Sequence, residues 1–540
     1  MFCNTPQVNQ LTALLLSHHI TDIVVCPGSR NATIVHNLNE LKGRINIHPV
    51  TDERSAAFVA LGMTLATEQA VAVCVTSGSA LLNCIPAVAE AYYRHLPLLV
   101  ISADRPAQWI NQLDGQTLPQ QQALMPYCYT YSVSTPHTPT DLWQNNRNIN
   151  EAILRLQHHG GGPSHINVAI EEPMFNFTTA TLPNERIIKE FTANEPSSPL
   201  PQEVIQLISN AQLPALIIGQ YEKGDIRQEV DQLISNNQLL VLPEIISDVK
   251  GSNLLHAFDH LSTTDAAIKP DVIVQIGGNF VHKKFKLLLR NTPCKVVRIG
   301  TEQHMPDTFC HLSYWVHADV SNALNQLASS LPKQQKSVAQ AYAQLMQVHS
   351  EQAAKTATLP NKLTMHTALT VLKEHLSQLS PVITLHLANS SAVRAAGLVF
   401  ESGTFPIYCN RGVNGIEGSL SAAVGYALKM WGLSIVVIGD LSFYYDANAL
   451  WNTHLPTNLR ILLLNNGHGA IFDQLPGLSA SQARDEFIAA GGKRFTAQGI
   501  CASYDIAYQK VQNAKQLADA MPHFLNEECT IAQLIEITLN

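Results

Sequence analysis

Four times in its first third, the chain sets a short β-branched run before a small polar loop and then a helical pattern. DIVVC leads into Pro27-Gly28-Ser29-Arg30, INIHPV into Asp52-Glu53-Arg54-Ser55, VAVCV into Thr76-Ser77-Gly78-Ser79 and LPLLVIS into Ala103-Asp104-Arg105-Pro106. Strands alternating with helices need crossover connections, so the pattern predicts parallel βα units. The last third repeats it. VITLHL precedes Ala388-Asn389-Ser390-Ser391, IYC precedes Asn410-Arg411-Gly412, IVVI precedes Gly439-Asp440-Leu441-Ser442, and RILLL precedes Asn465-Asn466-Gly467-His468-Gly469. Two related α/β domains are implied, and PALIIG, LLVLP, VIVQIGG and KVVRIG predict a third open parallel sheet between them. Connector-like segments at 194–201 and 356–361 suggest domains at 1–190, 200–345 and 360–540.

A chain of 540 residues also exceeds the roughly 250–300 at which one core stops growing. With 46% apolar and 14% charged residues it has the material for several cores. Lys and Arg number 34 against 42 Asp and Glu, a net charge of −8 that repels phosphate backbones, so no nucleic-acid partner is expected. The longest apolar stretches, such as Leu96 to Ala103, fall short of the roughly 20 residues of a membrane helix. Nor does MFCNTPQVNQ contain a basic and then an apolar export segment, so a cytoplasmic location is expected. The ten cysteines form no CxxC pair and are read as buried free thiols. Neither His18-His19 nor His158-His159 has partners at zinc spacing.

In open α/β sheets ligands bind beyond the carboxyl ends of the strands, where these polar loops collect. Asp440 and Asn466 each follow a strand and stand one βα unit apart, close enough to share one ion. A carboxylate, an amide oxygen and a main-chain carbonyl suit Mg²⁺, or Mn²⁺, and the glycine-flanked loop could turn the His468 carbonyl inward. The simpler alternative is two helix N-caps. Glu53 opens an Ala-rich helix, where most acidic residues only complement the helix dipole. Ile416, in a Gly-rich turn, could be a core plug. Arg30, Arg105, Lys283, Lys284, Arg394 and Arg411 recur in these loops; each alone reads as a surface cation, and together they suggest polyanionic substrates.

The Gly439-Asp440 pair followed by Asn465-Asn466 resembles the thiamine-diphosphate motif, with Leu441 where a third glycine is usual. VVCPGSRN, TDERSAAFVALG, VTSGSALLN, ISADRP, GPSHINV, NSSAVR, NRGVNGIEG and GDLSFYYDANAL extend the likeness along most of the chain. Through them the chain resembles the menaquinone-pathway carboligases, the 2-succinyl-5-enolpyruvyl-6-hydroxy-3-cyclohexene-1-carboxylate (SEPHCHC) synthase family. The middle third matches more weakly, through Gly277-Gly278-Asn279 and the lysine pair.

The resemblance implies a thiamine-diphosphate-binding fold of pyrimidine, central and diphosphate domains. It implies that Glu53 is catalytic and hydrogen-bonds the aminopyrimidine, that Ser77 and Gly78 border the pyrimidine, and that Ile416 bends the cofactor. Gly439, Asp440, Ser442, Asn466 and His468 would surround the diphosphate, with Asp440, Asn466 and His468 holding its metal. Ser29, Arg30, Arg105, Gln116, Lys283, Lys284, Ser390, Arg394 and Arg411 would bind 2-oxoglutarate and isochorismate. Where the family carries Arg, Lys284 lacks a bidentate fork. The reaction implied is decarboxylation of 2-oxoglutarate and Stetter-like addition to isochorismate, in a homodimer or homotetramer with sites between subunits. The rivals are another thiamine-dependent 2-oxo acid decarboxylase, disfavoured by the cation cluster, and a non-catalytic protein of the same fold, disfavoured by intact Glu53, Asp440 and Asn466. A nicotinamide-binding protein would need a GxGxxG after the first strand, which is missing.

Overall fold

The computed structural model describes all residues except 158–160, 191–198, 223, 251–253, 255–267, 303, 357–361, 380, 381 and 540. Most of the two expected connectors, and the His158-His159 pair, lie outside the described residues. The described strands form three sheets. The first contains β1 (Asp22–Val25), β2 (Asn46–Pro49), β3 (Val71–Val75), β4 (Leu98–Asp104), β5 (Tyr129–Val133) and β6 (Ser164–Ala169), in the order β2-β1-β3-β4-β6-β5. The second contains β7 (Pro214–Ile218), β8 (Leu240–Pro243), β9 (Val272–Ile276), β10 (Lys295–Gly300) and β11 (Leu312–His317), ordered β11-β10-β9-β7-β8. The third contains β12 (Ile383–Leu387), β13 (Ile407–Tyr408), β14 (Leu433–Gly439), β15 (Leu459–Asn465), β16 (Ala507–Val511) and β17 (Gln533–Thr538), ordered β13-β12-β14-β15-β17-β16.

Every strand pairing in these sheets is parallel. Parallel sheets are covered by helices on both faces, which is why every residue of β3, β7, β9 and β12 is buried, and β3 and β7 are continuous apolar runs. The first and last sheets trace the same order, confirming two related α/β units and a third parallel sheet between them. Five strands escaped the sequence pattern: β5, β6, β11, β16 and β17. The reason is plainest in β6, a buried strand that carries His165 and Asn167. Ser102 donates to Asn167 Oδ1 at 2.7 Å and stands 2.7 Å from His165 Nε2, so tertiary partners satisfy polar groups that no hydrophobic pattern predicts.

The helices Glu53–Thr67 and Ser419–Lys429 each follow the second strand of their sheet, and they pack against each other. Two glycines make this possible. A Cβ on Gly62 would stand 1.9 Å from the Ala422 carbonyl oxygen, and one on Gly425 would stand 2.0 Å from that of Val59. Each glycine meets the residue three before the other, so the contact is reciprocal and the two units face one another about a local two-fold. All ten cysteines are free, and seven are buried as expected; Cys310 is exposed, and Cys294 and Cys529 are half-buried. Among the described residues, no helix is long and apolar enough to cross a membrane.

Candidate active site

In the first unit, three polar segments meet at the carboxyl end of the sheet. A Cβ on Gly28 would stand 2.4 Å from Thr76 Cβ, so the loop carrying Ser29 and Arg30 lies against the one carrying Ser77 and Gly78. Gly78 has φ +82° and ψ −136°, a conformation that favours glycine, and a Cβ there would approach the Gln116 backbone at 3.2 Å. Its N–H donates to Gln120 Oε1 at 2.7 Å, and Gln120 Nε2 donates in turn to Asn167 Oδ1 at 2.7 Å and the Ala103 carbonyl at 3.1 Å. Buried Gln120 thus holds the Ser77-Gly78 loop; no sequence pattern marks it.

Glu53 starts its helix, but Asp52 is the cap, accepting from the Ser55 N–H at 2.8 Å. Asp52 also accepts from Asn448 at 2.8 Å, and Arg54 donates to the Tyr445 carbonyl, fixing this helix end to the segment after Asp440. The carboxylate of half-buried Glu53 has no hydrogen bond or ion pair among the described residues. The ordinary work of an acidic first turn is done by its neighbour, leaving its carboxylate available to a ligand.

In the last unit the loops are tied to each other. Ser442 donates to the Ile416 carbonyl, and Asp440 Oδ2 accepts from the Gly467 N–H at 2.9 Å. Asn466 Nδ2 donates to the His468 carbonyl at 2.8 Å, bringing the amide and that carbonyl together while the imidazole turns to Asp473 at 2.7 Å. That pairing, above all, raises the His468 pKa. Asp440 is buried, and the loss of water raises its pKa despite donors at Leu441 and Gly467. A Cβ on Gly439 would meet nothing within 4 Å, so the strand end opens on free space beside this carboxylate. Ile416 is 37% exposed, too open to be a core plug. Ser390 has φ +72°, unfavourable for a non-glycine residue, and its carbonyl accepts from Arg394 Nη1 at 2.6 Å.

The cations divide into two kinds. Arg30 pairs with Glu172 at 3.1 Å, and Arg105 with Asp114 at 3.0 Å. Arg394 and Arg411 have no carboxylate partner among the described residues. Among the described residues the buried Arg411 side chain donates only to Asn389 Oδ1 at 3.1 Å and the Phe280 carbonyl at 3.3 Å, with its Nε unpartnered. Burial and then the Arg411 charge lower the Arg394 pKa. Lys283 and Lys284 are exposed at the start of the helix Lys283–Arg290. One turn on, half-buried Lys286 was not a sequence candidate; burial, then Arg411, Arg290 and Arg394, lower its pKa, so it faces the same cations.

No group of three His, Cys, Asp or Glu side chains suited to a metal occurs among the described residues. A cation here would rest on one carboxylate, an amide oxygen, a carbonyl and ligand phosphates. A buried Asp440 with no ion pair among the described residues, the space at Gly439 and the disengaged Glu53 fit a diphosphate-bearing cofactor with its metal.

Residues 8–124 match the thiamine pyrophosphate enzyme, N-terminal TPP binding domain, and with the fold this defines a thiamine-diphosphate-dependent enzyme. A protein of Bacteroides thetaiotaomicron is 39% identical, over 98% of this chain and 94% of its own length. One of Phocaeicola vulgatus is 38% identical, over 99% and 95%, and one of Cytophaga hutchinsonii 32% identical, over 98% and 95%. All three are named 2-succinyl-5-enolpyruvyl-6-hydroxy-3-cyclohexene-1-carboxylate synthase. The chain belongs to the SEPHCHC synthase family.

Proposed function

We propose that the chain decarboxylates 2-oxoglutarate and adds the resulting succinyl carbanion equivalent to the ring of isochorismate, releasing SEPHCHC and CO₂ in menaquinone biosynthesis. The observation that carries the substrate side is the pair Arg394 and Arg411, buried or half-buried, adjacent, and without a carboxylate partner among the described residues. Two such cations repel each other until an anion joins them, and a dicarboxylate supplies one. Thiamine diphosphate, when bound, supplies the electron sink for loss of CO₂.

Glu53 serves the aminopyrimidine, holding the proton whose movement activates the cofactor. Ser77 and Gly78 would border that ring, and Ile416 would support the cofactor when it is bound. Gly439 and Ser442 face the diphosphate, while Asp440, the Asn466 amide and the His468 carbonyl hold Mg²⁺ or Mn²⁺. Arg394, Arg411, Ser390 and Lys283 receive 2-oxoglutarate. Ser29, Arg30, Arg105 and Gln116 receive isochorismate, whose carboxylates compete with Glu172 and Asp114 for the arginines. Lys284 acts as a point charge at the rim.

The three sheets work as units at about 1–190, 200–345 and 360–540. A homodimer or homotetramer completes the site between subunits. Leu82, Trp109 and Leu113 in the first unit, with Ile416 and Phe487 in the last, expose apolar surface that a second copy would cover. The enzyme works in the cytoplasm.

An assay with 2-oxoglutarate, isochorismate, thiamine diphosphate and Mg²⁺, omitting one at a time, tests the reading through CO₂ release and loss of isochorismate absorbance. Dependence on all four is expected; turnover of isochorismate without 2-oxoglutarate would refute it. Light scattering on the eluting protein checks the assembly, and an active monomer would overturn the interface.

A further inference from the structure

Glu90 and Arg94 are buried on the helix Ile85–Arg94 of the first unit, and among the described residues neither side chain hydrogen-bonds a candidate substrate or cofactor loop of that unit. They reach instead into the last unit. Glu90 accepts from the main-chain N–H of Gly412 at 2.9 Å and of Val413 at 2.8 Å. Arg94 donates to Asn410 Oδ1 at 3.1 Å and binds both oxygens of Glu222, from the middle unit, at 2.6 and 2.7 Å. Gln220, bonded to Glu222 at 3.0 Å, donates to the Cys409 carbonyl at 2.9 Å. Asn279, also of the middle unit, donates to the carbonyls of Arg411 and Gly412. Five consecutive residues, 409 to 413, are therefore gripped from two other domains.

A stability role accounts poorly for this arrangement. Withdrawing two carboxylates and a guanidinium from water costs several kcal/mol per ion, and apolar residues of similar volume commonly hold a fold as well. What the ions add is direction, since Glu90 fixes two adjacent N–H groups and leaves no slack. A Cβ on Gly412 would stand 2.8 Å from the Glu90 carbonyl oxygen and 2.9 Å from its carboxylate. The segment so fixed carries Arg411 and leads within a few residues to Ile416.

We propose that Glu90, Arg94 and Glu222 are positioning residues, a buried ion triad that locks segment 409–413 to all three domains so that Arg411 is aimed at the carboxylate of its substrate. This deepens the reading above and rests on its assignment of Arg411.

The test compares Glu90→Gln, Glu222→Gln and Arg411→Ala in the full-length holoenzyme. Glu222→Gln keeps an acceptor for Arg94, so it guards against a Glu90 variant that does not fold. Both triad variants should raise the KM for 2-oxoglutarate on the order of tenfold, as small misplacements of a binding group do, with thiamine diphosphate affinity within about twofold. Hydrogen exchange at the Gly412 and Val413 amides should accelerate in Glu90→Gln. A lower melting temperature with unchanged KM and unchanged exchange would make the triad a mere pillar and overturn the proposal. If Arg411→Ala leaves the KM unchanged, the assignment of Arg411 fails, and the lock itself then stands or falls on the exchange rates.

Discussion

The first and last sheets share one strand order, yet the two units treat the arginines of their candidate-site loops in opposite ways. Arg30 and Arg105 are neutralised by Glu172 and Asp114, whereas Arg394 and Arg411 have no carboxylate among the described residues. A shared scaffold therefore leaves the chemistry to its loops. A paired arginine is a binding group held in reserve, and an unpaired one already presents the charge a dicarboxylate needs. The same division runs through the acids, since Asp52 caps a helix beside a disengaged Glu53, and Asp440 is buried with a raised pKa.

The sharpest way to break the comparison is at Glu53. Glu53→Gln should cost roughly a thousandfold in turnover, within the range of a lost proton-transfer group, with an unchanged melting temperature. Proton exchange at the reactive carbon of the bound cofactor, followed by NMR, should fall in parallel, and normal exchange would sink the assignment. Next come the reciprocal glycines. Overpacking typically costs about 1–3 kcal/mol, and with backbone oxygens on both sides Gly62→Ala and Gly425→Ala should reach the top of that range. Equal losses in chemical denaturation would sharpen the two-fold relation; a large loss in one alone would break it.

Among the cations, Arg394→Ala and Arg411→Ala should each raise the KM for 2-oxoglutarate or lower turnover by about thirtyfold, the scale of a charge-assisted contact. Arg30→Ala should change 2-oxoglutarate kinetics only about threefold, since its partner Glu172 is exposed and tolerates its loss. Equal effects at all three positions would erase the distinction.

The smallest effect is in acid. Burial holds His165 in the first sheet and His386 in the last at a pKa of about 3. A histidine kept neutral in the fold stabilises it fully above its ordinary pKa of 6.5, and this is lost as pH falls from 6.5 toward 3. Each should cost on the order of 1 kcal/mol between pH 8 and pH 5.5. His165 has hydroxyl partners on both ring nitrogens, Ser102 and Thr130, while His386 Nε2 has none. Urea midpoints at the two pH values should therefore show His386→Leu losing its share of the acid sensitivity at less cost at neutral pH than His165→Leu.

Much of the architecture was legible in advance because a parallel sheet covered on both faces needs apolar runs: β3 is apolar throughout, and β4, β14 and β15 each carry an apolar run of at least four residues. The strands that went unread carry polar or half-exposed residues, His165 and Asn167 in β6 or Tyr131 in β5, whose fit depends on distant partners. Of the candidate site, the loop residues were readable because a motif fixes their order after a strand. Gln120, Lys286 and the Glu90–Arg94–Glu222 triad were not, since their role depends on what lies beside them and not on spacing along the chain.

By itself the sequence determined the three α/β units, the strand-end loops and the residue types at the cofactor motif, because hydrophobic runs and turn chemistry are local. Only the tertiary structure decided which charges are neutralised and which stand alone. Pairing across 142 residues between Arg30 and Glu172, or across three domains around segment 409–413, is set by the packing of sheets whose separation in sequence carries no local signal.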